Sequence, residues 1–490
     1  MSSETLLLIV LAIPVVTAVA IYFLDSIPDL REAATLTGAV ALFGSVVLLV
    51  AGMDGGNAPS LYLGSAAPGL DFEFKLEPLG GLFALIASGL WIVNSLYSIG
   101  YMRGNRERNQ TRFYMCFAIA LLGTMGVALA GNLFTLFIFY EILTISTYPL
   151  VAHKGDQTAQ RGAQIYLLTL LGTSIGFLLI AIAGTATIAG SLEFTPGGIF
   201  DEDIDPVVAS VLLLLFVFGI GKAALMPFHF WLPNAMVAPT PVSALLHAVA
   251  VVKAGVFAML KVAAYVFGLD LLQVIPATDF VLGVACFTIV ASSLIAITKD
   301  NLKARLAYST VGQLAYVTAG AMLATQAGFL GGSLQIAAHA MGKITLFMCA
   351  GAIYVATGLT KISEMRGLGK RMPWIFGAFF VASLSIIGIP PLAGGWPKFQ
   401  LLLGAVEADQ MYVVWVLLLS SLLNIAYLLP IPILALFTPV DSPEPAPYKR
   451  PEGAPRLVVI APVITAAGTV ILFFFMGAVA NFILPITGTV

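Results

Sequence analysis

The chain has 490 residues, of which 59% are hydrophobic and 10% charged, with a formal net charge of −2. Soluble domains carry about 25% charged residues, so this chain cannot cover itself for water. The near-neutral balance carries no indication of a nucleic-acid partner.

Apolar runs of about 20 residues, each long enough to cross a bilayer core, recur from end to end. In chain order the predicted segments are 5–24, 33–52, 80–100, 112–130, 132–152, 161–190, 206–228, 241–266, 276–298, 302–325, 328–356, 373–408, 411–437 and 456–485. The expectation is an all-α integral membrane protein of about fourteen transmembrane helices. The first run has Glu4 in place of a basic leader and no small-residue cleavage site before Asp25, so it reads as a spanning helix and not a signal peptide. Cys116, Cys286 and Cys349 fall inside predicted helices at no metal-ligand spacing, and read as packing residues.

The basic residues order these segments. Arg31 follows helix 1; Arg103, Arg106, Arg108 and Arg112 follow helix 3; Lys154 and Arg161 follow helix 5. Lys299, Lys303 and Arg305 follow helix 9; Lys361, Arg366, Lys370 and Arg371 follow helix 11; Lys449, Arg450 and Arg456 follow helix 13. All these loops follow odd-numbered helices, so the positive-inside rule predicts that they are cytoplasmic and that both termini are outside. Loops after even-numbered helices are acidic instead, as in Asp201, Glu202, Asp203 and Asp205, or Glu407 and Asp409.

Six of the 23 basic residues remain. Lys75 belongs to an external loop, and Lys261 is expected to snorkel from the outer end of helix 8. Lys222, Lys253, Lys343 and Lys398 lie well inside spanning segments, together with Glu141, His247 and His339. An ionisable group at that depth costs at least about 2.5–3.5 kcal/mol on insertion scales. One such group can be a structural pair. Four lysines opposed by one carboxylate suggest a relay instead, because burial disfavours a charged lysine and brings it toward proton exchange. His339 and Lys343 are four residues apart and share a helix face. His247 and Lys253, six apart, face different ways unless helix 8 is distorted. His153 and His229 read as interface or loop residues.

Lys222 lies in Gly219-Ile220-Gly221-Lys222, ahead of Pro227 and Pro233. Lys398 lies in Gly394-Gly395-Trp396-Pro397-Lys398, after Pro390 and Pro391. Proline frees a backbone carbonyl, which protein or cavity water must then satisfy. These two broken helices are five apart, an odd number, as in an inverted repeat. The predicted organisation is helices 1–3 in 1–111, five-helix repeats in 112–266 and 276–437, and a cytoplasmic loop with the last helix in 438–490.

The stretches Gly221-Lys222-Ala223-Ala224, Trp231 to Met236 and Ala238 to His247 resemble the signature of antiporter-like subunits. That family comprises the proton-pumping membrane subunits of respiratory complex I, membrane-bound hydrogenases and Mrp-type sodium/proton antiporters. Leu302 to Thr310 and His339-Ala340-Met341-Gly342-Lys343 match further family segments. The resemblance implies that Glu141 pairs with Lys222, and that Lys253, with His247 nearby, links the halves. It further implies that His339 and Lys343 continue the relay and that Lys398 ends it. The segments around Glu141 and Lys253 look most like the D-type Mrp subunit, although Gly394-Gly395-Trp396-Pro397-Lys398 departs from the commoner phenylalanine-containing version.

The resulting expectation is a non-enzymatic, proton-translocating subunit of a multisubunit sodium/proton antiporter in a prokaryotic cytoplasmic membrane. It would have other membrane subunits as partners and no cofactor or metal. The alternatives are the pumping arm of a quinone oxidoreductase or hydrogenase, with any redox chemistry in partner subunits, and the membrane subunit of a proton-driven inorganic carbon uptake complex.

Overall fold

The computed structural model describes residues 2–53, 58–201, 203–438 and 453–487. Glu202, Lys449 and Arg450, used above to orient the loops, lie outside the described residues. The described residues form helices and one two-stranded hairpin. Helices α1 to α6 span Ser3–Phe23, Pro28–Ala51, Pro78–Asn105, Gln110–Ala128, Leu133–Val151 and Gln157–Ala189. Strands β1 (Ser60–Ala67) and β2 (Leu70–Lys75) pair antiparallel between α2 and α3. Then come α7 (Pro206–Gly219), α8 (Thr240–Phe267), α9 (Pro276–Thr298), α10 (Leu302–Met322) and α11 (Gln326–Thr357). The chain closes with α12 (Pro373–Ile387, resuming after a break as Gly395–Glu407), α13 (Met411–Phe437) and α14 (Arg456–Ile486). Among the described residues, eleven of these are long and apolar enough to cross a membrane. The other three expected crossings are the broken α7 and α12, and α10, which carries Lys303 and Arg305 in its first turn.

Helix starts follow local chemistry. Asn132 accepts from the Thr135 amide (2.8 Å), Asp156 from Ala159 (2.7 Å) and Asn301 from Ala304 (3.0 Å), each satisfying an orphan donor. Pro28, Pro78, Pro206, Pro276 and Pro373 open helices where their missing N–H is not needed.

Contacts sort the loops into two faces. On one, the backbone of Asn132 bridges Glu193, Gln273 donates to the Ala324 carbonyl (2.9 Å), and Gln410 donates to Asp279 (3.1 Å). These residues follow or flank even-numbered helices. On the other, Arg31 donates to Thr111 (2.9 Å), Arg103 to Glu32 (3.0 Å), and the Leu302 amide to the Thr360 carbonyl (2.9 Å). Those follow odd-numbered helices, as the alternation of basic loops predicted.

α8 lies wholly inside the bundle and α11 almost wholly. Large apolar side chains on the outer helices, such as Phe23, Phe287, Trp415 and Phe474, are exposed as a lipid-facing surface requires. The packing repeats with an offset of five: α4 on α5 and α9 on α10, α5 on α6 and α10 on α11. In the same way α6 packs on the chain after the α7 break, and α11 on the second half of α12. Each break also contains a cis X-Pro peptide, Met226-Pro227 and Pro390-Pro391.

Small residues set the closest approaches. A Cβ on Gly219 would lie 2.3 Å from the Leu178 amide nitrogen, backbone that cannot yield by changing rotamer. Gly219→Ala is therefore expected to destabilise by about 1–3 kcal/mol, the usual cost of overpacking, and to lower the thermal unfolding temperature in detergent.

Candidate functional site

The break after α7 delivers Lys222 into the core. Its freed backbone groups are accounted for: the Trp231 indole donates to the Gly221 carbonyl (3.0 Å), the Lys222 amide to the Tyr140 hydroxyl (3.1 Å), and the Met226 amide to Thr288 (3.3 Å). Lys222 Nζ donates to the Tyr140 carbonyl (2.8 Å) and the Thr144 hydroxyl (2.6 Å), and sits 3.1 Å from the Tyr140 ring centroid. It forms no ion pair with Glu141. The lysine reaches α5 at Tyr140 and Thr144, which share a face, whereas Glu141 is turned about 100° from Tyr140. Both Glu141 carboxylate oxygens are buried without a hydrogen-bond partner, although the residue as a whole is partly exposed at the chain's surface.

α8 carries the next group. It contains a π-helical turn over Leu246–Ala250, so the distortion considered in the sequence is present. His247 and Lys253 nevertheless face different elements. The His247 ring packs against Tyr166 (6.1 Å) and Trp231 (6.3 Å), on the Lys222 side, with both ring nitrogens buried and unpartnered. Lys253 Nζ instead meets His339 Nδ1 of α11 in a short direct contact. Both side chains are buried, and the contact joins α8 to α11. Gly255 makes the geometry possible: a Cβ there would lie 2.3 Å from the Ala223 nitrogen and 2.4 Å from the Lys222 carbonyl carbon.

One turn along α11, Lys343 Nζ donates to the Ser309 hydroxyl (2.5 Å) and the Leu306 carbonyl (3.3 Å) of α10. The Tyr427 hydroxyl of α13 lies 2.8 Å from the same Ser309 oxygen and donates to Asn424 Oδ1. At the far end, Lys398 Nζ donates to the Ile387 carbonyl (2.8 Å) and to Ser421 (3.1 Å) and lies 5.2 Å from the Tyr316 ring. Thus the α12 break is capped by its own lysine, while tryptophan serves the α7 break.

The sequence reading missed the α13 stripe. Ser420 and Asn424 are buried, and with Ser421 and Tyr427 they line α13 between Lys343 and Lys398. The signal was polar residues at helical spacing in an apolar helix, but each is uncharged and so carries none of the insertion cost that marks a buried charge.

The expectation for Lys261 is corrected. It does not snorkel: it is fully buried, 2.7 Å from Glu77 Oε2, and donates to the Ala130 carbonyl (2.8 Å). Glu77 is itself 5% exposed, a more deeply buried carboxylate than the partly exposed Glu141. The α3, α5 and α8 ends enclose this lysine before its stem can reach water. His153, just after α5, packs edge-on to Phe113 (5.6 Å), and burial pushes its pKa down to about 4. It is a neutral packing residue at pH 7. His229 is half-buried, its Nδ1 3.3 Å from the Pro227 carbonyl oxygen.

A cavity of about 140 Å³ opens beside the start of α8 on the odd-loop face, lined by Tyr101, Lys154, Thr240, Lys303 and Tyr354. Lys303 Nζ donates to the Ala238 carbonyl (2.7 Å) at its edge.

Comparison with known proteins matches residues 130–424 to the family described as NADH:quinone oxidoreductase/Mrp antiporter, TM. The chain belongs to this family. NADH-quinone oxidoreductase subunit N of Desulforudis audaxviator is 31% identical over 427 residues, 86% of this chain and 84% of that protein. The A1 subunit of a Na(+)/H(+) antiporter of Staphylococcus haemolyticus is 32% identical over 84% of this chain and 53% of its own length. The A/B subunit of a probable K(+)/H(+) antiporter of Rhizobium meliloti is 32% identical over 69% of this chain and 33% of its own length. The chain thus spans most of the first relative and about half or less of the other two. The fold also matches a chain of the Mrp complex from Dietzia (TM-score 0.87, 22% identity, 99% of this chain and 97% of that one). For respiratory complex I from Thermus thermophilus the values are 0.75, 24%, 96% and 98%. This family of antiporter-like, multi-pass membrane subunits includes relatives from cation antiporters and redox complexes alike.

Proposed function

We propose that this chain is the proton-translocating subunit of a multisubunit monovalent cation/proton antiporter of the Mrp type. The observation that carries the reading is the buried Lys253–His339 contact between α8 and α11. It stands in a line of amines and imidazoles running from Lys222 to Lys398. An amine and an imidazole in contact cannot both be charged without strong repulsion, so the pair holds at most one excess proton, which either nitrogen can accept and hand on.

In this reading Glu141 and Lys222 load the first unit, residues 112–266, and His247 stands between the α7 break and α8. Lys253 passes the proton to His339 and Lys343 in the second unit, residues 276–437. Ser309, Tyr427, Asn424 and Ser421 carry it along α13 to Lys398. Glu141 is partly exposed at the chain's surface and its carboxylate has no hydrogen-bond partner within the chain, which favours a neighbouring subunit there. Applied to the two loop faces, the positive-inside rule places the basic face in the cytoplasm and both termini outside, in a prokaryotic cell membrane. Sodium or potassium as the exchanged ion is supported by the names of the antiporter relatives.

The test uses the assembled complex in vesicles. Lys253→Met and His339→Leu should each lower cation-driven pH change by about 10²-fold, the scale of a lost proton-transfer group. Unimpaired transport in either variant would refute the bridge. A second reading, the pumping arm of a redox complex, is favoured by the subunit N relative, which matches most of both chains. Copurification of hydrophilic iron–sulfur subunits would select it.

A further inference from the structure

Lys261 stands apart from this relay. It lies eight residues beyond Lys253 on α8, roughly 12 Å along the axis at about 1.5 Å per residue. The residues between them, Ala254 to Leu260, are apolar or glycine and buried, and Phe257 packs on Phe83 (5.2 Å). No side chain on that stretch can hand a proton between the two lysines.

The Lys261 ammonium is nevertheless held on four sides. Glu77 Oε2 is at 2.7 Å and the Ala130 carbonyl oxygen at 2.8 Å, with the Phe194 ring centroid at 4.1 Å and that of Tyr265 at 5.3 Å. A carboxylate, a carbonyl and two aromatic faces are ligands suited to a monovalent cation. An ammonium group is also close in size to a potassium ion. The Tyr265 hydroxyl also hydrogen-bonds the Glu77 carboxylate, so both neighbours of the lysine on that side converge on one buried anion. The cage adjoins the even-loop face. Glu73 of β2 packs against Gly131, next to Ala130, and Glu193 pairs with Asn132. Burial and the neighbouring Glu193 raise the Glu73 pKa, which favours a proton on it. The titratable groups acting on the cage are Glu77 at the cap of α3, Glu73 and Lys75 from β2, and Tyr265 from α8 itself.

We propose that the Glu77–Lys261 cage is an exchange site where a monovalent cation and the Lys261 proton compete for the same ligands. This deepens the antiporter reading and rests on it. The Nζ–H bond of Lys261 breaks and its proton leaves to Glu73 or to water at the even-loop face. A cation enters between the Glu77 carboxylate and the Ala130 carbonyl. The two steps must be concerted, the cation entering as the proton leaves, because a buried carboxylate left uncompensated would be costly.

The test is equilibrium binding of radioactive sodium, and of rubidium as a potassium analogue, to the full chain purified in its complex. Lys261→Met removes the competing ammonium and should tighten cation binding at pH 7 by about tenfold or more, with its dependence on pH lost. Glu77→Gln should abolish that binding. The double replacement Glu77→Leu with Lys261→Met removes both charges; it should fold like the parent and bind no cation at this site. If Lys261→Met folds and leaves cation affinity and its pH dependence unchanged, the cage is only a structural ion pair and the proposal fails. It fails equally if the double replacement binds like the parent. Equilibrium binding requires no proton flux, so a failed relay with intact binding, or an intact relay without it, separates this proposal from the function it rests on.

Discussion

Lys222→Met is expected to reduce cation-coupled proton movement in vesicles by about 10²-fold or more while leaving the assembled complex intact. Lys222 Nζ is the first buried amine of the line, and its hydrogen bonds are to a carbonyl and a hydroxyl, not to a carboxylate. Neither acceptor is orphaned by the change. The Tyr140 carbonyl also accepts from Thr144 (3.1 Å), and methionine fills a similar volume without a charge. The fold therefore loses little, since replacing a buried charge by an apolar side chain of similar size is often near neutral. Glu141→Gln should give a comparable transport defect by a different route. Its carboxylate oxygens have no hydrogen-bond partner within this chain, so the change removes a charge beside Lys222 without breaking a contact that braces a helix. Vesicle acidification followed by a pH-sensitive dye, normalised to assembled complex, measures both. Full transport with both residues replaced would rule out this end of the relay.

Gly255→Ala should impair transport nearly as much, although it removes no ionisable group. Its new methyl would occupy space taken by the Ala223 nitrogen and the Lys222 carbonyl group, all backbone. Either α8 moves away from the α7 break or the break itself shifts, and both separate Lys222 from the Lys253–His339 pair. A displacement of about 1 Å at a reacting group can cost about 10²-fold. The defect should appear in transport per assembled complex, with a fall in thermal stability of about 1–3 kcal/mol. An unchanged transport rate would mean that the α8–α7 distance is not critical.

Much of this architecture was legible in the chain. Segment ends predicted from hydropathy agree with the observed helices to within a few residues over most of the length, because charge cannot enter the hydrocarbon and each loop is marked by it. The alternation of basic loops anticipated the two loop faces for the same reason. Lys222, Lys253, His339, Lys343 and Lys398 stood out because a charge at depth is costly enough to be conspicuous without coordinates. The breaks at Gly219–Pro227 and Gly388–Pro397 were likewise visible, since glycine and proline act on the backbone locally.

Partners were not legible. The resemblance paired Lys222 with Glu141; the structure puts the lysine's hydrogen bonds on Tyr140 and Thr144, with Glu141 near enough to act on it through charge, because the α7 break and the α5 helical phase together decide which face the lysine meets. Nor did it anticipate Ser309, Tyr427 and Asn424, uncharged groups whose importance comes only from lying between Lys343 and Lys398. For Lys261 hydropathy gave the opposite environment, an exposed end in place of a sealed cage. A lysine near a helix end looks free to snorkel until distant segments close over it, and Glu77, Ala130 and Phe194 lie 184, 131 and 67 positions away in the chain. Cost at depth is a property of the residue and can be read locally; pairing depends on helix phase and long-range packing, which only the folded chain fixes.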